Sequence, residues 1–117
     1  MHIERANYML DKGWYAGPWK SNLAIPVGYA HKGIDEPHVH GQTTEIYLVA
    51  RGTSVLRVGR ETVHLASGDV AIIEPGEAHT FLDSSVDYFH FVVHLPEPGQ
   101  ASTAADKFAA ERSSLGL

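Results

Sequence analysis

Between residues 24 and 96 the chain alternates short runs of β-branched and aromatic residues with turn formers, a pattern of strands rather than helices. Ala24 to Ala30 predicts an early strand, where Pro26 suits an edge or a bulge. Glu45 to Ala50 predicts another. Ser54 to Val58 and Glu61 to Leu65 flank Gly59-Arg60, and glycine first in a two-residue loop fits a type II′ hairpin turn. Ala66-Ser67-Gly68-Asp69 turns the chain into Val70 to Ile73, and Pro75-Gly76 turns it again before Ala78 to Phe81. Asp83-Ser84-Ser85 precedes a long strand, Tyr88 to Leu95, closed by Pro96. Strands at this interval predict an all-β barrel or sandwich. In the last strand Phe89, Phe91, Val93 and Leu95 alternate with Tyr88, His90, Val92 and His94. The phenylalanine face is the more apolar and reads most simply as core. The other face is open to three readings: a solvated side, a partner surface, or a wall that carries His90 toward a cavity.

Both ends depart from this pattern. Gly13 to Trp19 is rich in aromatics and turn formers, and covering a bare core edge or a dimer contact is its simpler reading, ahead of a place in a ligand pocket. Ala101 to Arg112 favours a short C-terminal helix, with Ser102 as N-cap and Ala105, Phe108, Ala109 and Arg112 at helical spacing. The alternative there is a frayed tail.

The chemistry concentrates in Pro37-His38-Val39-His40-Gly41-Gln42-Thr43-Thr44-Glu45 and in the later His79. Residues i and i+2 of a strand share a face, so His38 and His40 project together. Glu45 has the wrong parity for an unbroken strand, but a turn or bulge at Gly41 to Thr44 restores it to the same interior. His79 must arrive from a different strand. A closed or sandwiched sheet with a metal between its walls follows. Three neutral imidazoles and one carboxylate suit one divalent first-row ion per chain: Fe, Mn, Ni, Co, Cu or Zn. Tyr47 shares the face of Glu45 and is a candidate catalytic residue, as is His90, whose side chain suits proton transfer near neutral pH. The bland readings are a core tyrosine with a satisfied hydroxyl and a non-functional histidine.

These motifs resemble those of a small single-domain cupin. The first runs Gly33, His38-x-His40, four residues, Glu45, six residues, Gly52, and the second places Gly68, Gly76 and His79. Three positions depart from the family pattern. Gly33 is one residue close to the first histidine, Glu74 stands for proline, and Asp83 stands for asparagine. None is a ligand position. The resemblance implies a double-stranded β-helix, or jelly-roll barrel, with His38, His40, Glu45 and His79 as ligands. It covers about residues 23–96, so the chain is expected to be a single cupin domain over 1–117. The barrel would be preceded by the aromatic segment 1–22 and followed by a tail or helix over 97–117.

Composition narrows the setting. A chain of 117 residues suits one domain with a real core. The basic residues, 9 against 14 acidic, are scattered, so no nucleic-acid partner is expected. There is no cysteine, hence no disulfide framework and no thiolate ligand. No signal core or membrane-spanning run is evident, which makes cytoplasmic location the expectation. Ile46 and Leu48 are apolar on the face opposite Glu45, which favours a homodimer, as the resemblance to small cupins also implies.

A four-ligand site leaves positions for water or substrate. The cupin resemblance then implies a metalloenzyme acting on a small chelating organic molecule, dioxygenase-like in the first instance. The alternatives are a metal-dependent isomerase or lyase and a binding module without turnover. Tyr47, Val49, Leu56, Ile72 and Phe81 are the candidate cavity lining. No lysine or arginine falls inside either motif, and Arg51 and Arg57 read as lying outside the cavity. A neutral or aromatic small molecule is therefore the expected ligand. Asp83 is either a support for a ligand histidine or the start of a turn.

Overall fold

A computed structural model describes residues 1, 3–97 and 106–117. Ten strands occur among them: β1 (Lys12–Ala16), β2 (Val27–Ala30), β3 (His38–His40), β4 (Thr43–Arg51), β5 (Thr53–Val58), β6 (Glu61–Ala66), β7 (Val70–Ile73), β8 (His79–Ser84), β9 (Phe89–Pro96) and β10 (Lys107–Ala109). They form two five-stranded sheets, in the orders β1-β2-β9-β4-β7 and β10-β3-β8-β5-β6. Every pairing between them is antiparallel. This is the expected jelly-roll sandwich of a cupin. No helix among the described residues is long and apolar enough to cross a membrane.

The period-2 pattern of β4 explains how the sheets meet. Thr43, Glu45, Tyr47 and Val49 are buried, while the residues between them are half-buried. The inward apolar set joins Leu56, Leu65, Phe81 and Tyr88 in the core between the sheets. Gly59 has φ 55° and, among the described residues, only glycines have positive φ, consistent with a type II′ turn between β5 and β6. Gly52, between β4 and β5, has φ 75°, and a Cβ there would lie 2.7 Å from Tyr88 Cα. The motif glycine thus lets the β9 approach pass against the turn.

Several expectations change. The early strand begins at Val27 rather than Ala24, beyond the proline that cannot donate to a ladder. The helix expected over 101–112 is not the structure of its second half. Lys107–Ala109 is a strand, paired with β3 in the register Phe108↔Val39. Arg112–Leu115 forms a short 3₁₀ helix, and Ser102 lies outside the described residues. Helical spacing carried by a single phenylalanine is outweighed by an open sheet edge that accepts the segment. The faces of β9 are also reversed from the simplest reading. Tyr88, His90 and Val92 are buried, and Phe91 is 39% exposed. Phe89 remains buried, packed against Tyr29 with rings parallel at 6.0 Å.

Candidate metal centre

Two strand pairings bring the site together. In the second sheet His38 lies opposite His79, and in the first sheet Glu45 lies opposite His94. His40 follows on β3, and the Gly41-Gln42 turn carries the chain from one sheet to the other before β4 delivers Glu45. Asp106 fixes that turn. Its carboxylate accepts from Gly41 N (3.1 Å), Gln42 N (3.0 Å) and Thr43 Oγ1 (2.7 Å).

The candidate ligand atoms gather around the Glu45 carboxylate. Nε2 of His38, His40 and His79 lies 3.4, 2.9 and 3.0 Å from Glu45 Oε1, and His94 Nε2 lies 3.2 Å from Oε2. Glu45 and His79 are 3% and 0% exposed. Burial alone would raise the Glu45 carboxyl, but the surrounding imidazoles outweigh it and hold it well below the usual carboxylate range. Glu45 is therefore anionic.

Backbone carbonyls set two of the rings. His38 Nδ1 donates to Glu36 O (2.7 Å), and His79 Nδ1 donates to Glu77 O (3.0 Å). A neutral ring that donates through Nδ1 presents a bare lone pair at Nε2. Both Nε2 atoms face the buried Oε1 of Glu45. Such a cluster of imidazole nitrogens around a carboxylate is suited to hold a metal ion. The donor set, nitrogen and oxygen without sulfur, fits a divalent first-row ion.

The expected His38, His40 and His79 all lie around Glu45, in two groups that share its carboxylate: His38 with His79, and His40 with His94, which the motifs did not include. Its alternation with His90 and Val92 was the available signal, but the apolar phenylalanine face drew the core assignment away from it. Tyr47 is also in place. Its hydroxyl donates to Glu45 Oε2 (2.7 Å) and lies 3.3 Å from His79 Nε2. Burial, followed by the Glu45 charge, pushes its pKa well above that of a free phenol, so it stays protonated. His90 lines the cavity over the cluster, its Nδ1 2.7 Å from Tyr88 Oη. Burial lowers its pKa to about 4, against a smaller opposing pull from Glu45, so the ring is neutral at pH 7.

The cavity has a volume of about 580 Å³. Tyr47 and Phe81 line it as expected, whereas Val49 and Leu56 belong to the core beneath. Ile72 is 60% exposed on the outer face, because its neighbour Ile73 is the residue in register with Glu45. Trp14 and Trp19 line the cavity, contrary to the simpler reading of their segment. Trp14 stands edge-on to His94 at 5.0 Å and to Trp19 at 5.4 Å. Lys12 and Lys107 also line it, so the motifs alone missed its cationic side chains. Asp83 is exposed and, among the described residues, its carboxylate accepts from the neighbouring Ser84 N (2.8 Å), the local role rather than the supporting one.

Comparison with known proteins agrees with this architecture. The profile of the AraC-like ligand binding domain matches residues 24–112. No curated protein sequence matches the chain. Among solved structures, Pac13, a nucleoside dehydratase, is 14% identical, with 86% of this chain and 77% of that chain covered and a TM-score of 0.69. Streptomyces Pac13 is also known in a form with uridine. A Klebsiella pneumoniae protein with a double-stranded β-helix domain is 29% identical over 74% of this chain and 73% of its own, with a TM-score of 0.57. KdgF from a Halomonas species is 18% identical over 74% and 79%, with a TM-score of 0.60.

Proposed function

The chain belongs to the AraC-like ligand binding domain family, and we propose that it is a metal-binding cupin that takes a small chelating organic molecule into the cavity above Glu45. The observation that carries this reading is the pair of carbonyl-anchored imidazoles, His38 and His79. Their Nε2 atoms close on the buried Oε1 of Glu45. His38, His40, Glu45 and His79 would hold the ion, with His94 beside them. A bound redox-active ion would supply oxygenase chemistry with dioxygen, and zinc would supply Lewis-acid chemistry.

The remaining residues have roles of their own. Tyr47 keeps the Glu45 carboxylate oriented through its hydroxyl. His90, neutral at pH 7 and hydrogen-bonded to Tyr88 Oη through Nδ1, offers its second ring nitrogen to a ligand. It is a general acid–base candidate. Trp14 and Trp19 supply an apolar wall that limits water. A dioxygenase-like reaction is the reading of first choice. Its test is oxygen uptake by protein loaded with Fe, Mn, Ni or Cu in the presence of small aromatic chelators. Consumption above the protein-free rate, lost in His79→Ala, supports it. Full loading without uptake for any of these ions sinks it.

The family description favours one second reading, a binding module without turnover. It requires ligand-dependent stabilisation of the native state with the ligand recovered unchanged.

A homodimer is part of the proposal. Ile46 is in register with Ile72 and Val93, and Leu48 with Val70 and Phe91, which makes one continuous apolar outer face on the first sheet. Such a patch suits a second copy. A monomer mass by light scattering at micromolar concentration would count against it.

A further inference from the structure

The rim of the same cavity carries a second constellation. Lys12 comes from β1 and Lys107 from β10, in opposite sheets and near opposite ends of the chain. Both line the cavity, and they are the only lysine or arginine side chains among its described lining residues. Between them stands Glu36. Its Oε2 lies 3.4 Å from Lys12 Nζ, and its Oε1 forms an ion pair with Lys107 Nζ. Two ammonium groups from the two walls therefore grip one carboxylate across the opening. Glu36 is also tied to the depth of the cavity, because its carbonyl holds His38.

Charge shows what this rim favours. The lining holds two lysines and two glutamates, Glu36 and Glu45, which balance with the histidines neutral. A divalent cation at the histidine cluster leaves the lining positive by two charges, in a cavity whose aromatic walls strengthen the field. Glu36 is a half-exposed surface partner, so its release to water costs little. A carboxylate delivered by a ligand finds the same two ammonium groups already placed for it.

Resting on the metal reading above, we propose that the ligand carries a carboxylate at its outer end and a chelating group at its inner end. The ligand carboxylate takes the place of the Glu36 carboxylate between Lys12 and Lys107. Trp14 and Trp19 suit a flat apolar body. The neutral ligand expected from the motifs gives way to an anionic one.

The test uses two probes with the same chelating pair, catechol and 3,4-dihydroxybenzoate, titrated calorimetrically into zinc-loaded protein whose zinc content is measured in the same sample. The expected result is at least tenfold tighter binding of 3,4-dihydroxybenzoate than of catechol by the wild type. In a K12M/K107M double variant that preference falls to near unity while catechol still binds. In Glu36→Gln, which removes the internal competitor, 3,4-dihydroxybenzoate binds tighter still and catechol does not. Equal affinities in zinc-loaded wild type, no binding of either probe, or a preference that survives the double variant would overturn the inference. Protein that holds no zinc would bring down the metal reading itself, and the zinc content shows which of the two has failed.

Discussion

His94 lies directly across the sheet from Glu45, and its Nε2 stands 3.2 Å from the carboxylate oxygen Oε2. The carboxylate thus faces His38, His40 and His79 on one oxygen and a fourth imidazole on the other. Whether His94 binds the ion or steadies Glu45, its removal weakens the centre. His94→Ala is expected to lower metal affinity by about 10- to 100-fold, the usual effect of losing a partner that orients a ligand. Competition with a chromophoric chelator measures it. His64→Ala, on the exposed β6, serves as the control and should bind like wild type.

Tyr47 supplies the second support of the carboxylate. Tyr47→Phe removes the 2.7 Å hydrogen bond to Glu45 Oε2 and leaves a buried acceptor short of a donor. Apo-protein stability should fall by about 1–3 kcal/mol, read from urea unfolding at pH 7.5. An unchanged midpoint would show that the hydroxyl does not support Glu45.

His90 gives a pH signature. Its folded pKa of about 4 lies below the ordinary 6.5, so the unfolded chain binds the extra proton first as pH falls. The sign follows from linkage: stability from this group is full above pH 6.5 and is lost on going down toward pH 4. The gap corresponds to about 3 kcal/mol at most. Unfolding of apo wild type at pH 7.5 and pH 4.5, set against His90→Gln, isolates it. The variant should show a shallower decline, and parallel declines would contradict a neutral, buried His90.

Asp106 ties the C-terminal segment to the turn between β3 and β4. Asp106→Ala deletes the acceptor for two backbone amides and the Thr43 hydroxyl. A loss of about 1–2 kcal/mol is expected, together with weaker metal binding because His40 adjoins the released turn. Asp106→Asn should recover part of both, since the carboxamide oxygen still accepts. A variant with unchanged metal affinity would separate the turn from the site.

Much of this was legible in the sequence because it rests on local rules. Alternation in β4 placed Glu45 and Tyr47 inward, and the His-x-His pair shares a face by strand geometry. Turn chemistry located the hairpins. What escaped depends on pairing across long separations. His94 enters the site through its register with Glu45, and Lys107 reaches the rim because β10 adds to the edge beside β3. The helical spacing of Ala105, Phe108 and Ala109 was real, but local propensity yields to an available sheet edge. Trp14 and Trp19 were recognisable as packing residues, yet only β1 docking on β2 turns them toward the cavity.

The central claim is that the Glu45 cluster is a metal centre. The most direct measurement is the metal content of untagged protein, as purified and after equilibration with divalent ions, beside His40→Ala and His79→Ala. The account predicts close to one ion per chain in the wild type and a large loss in both variants, with each still folded by circular dichroism. Wild-type protein that takes up no ion, or variants that bind as well as wild type, would contradict it.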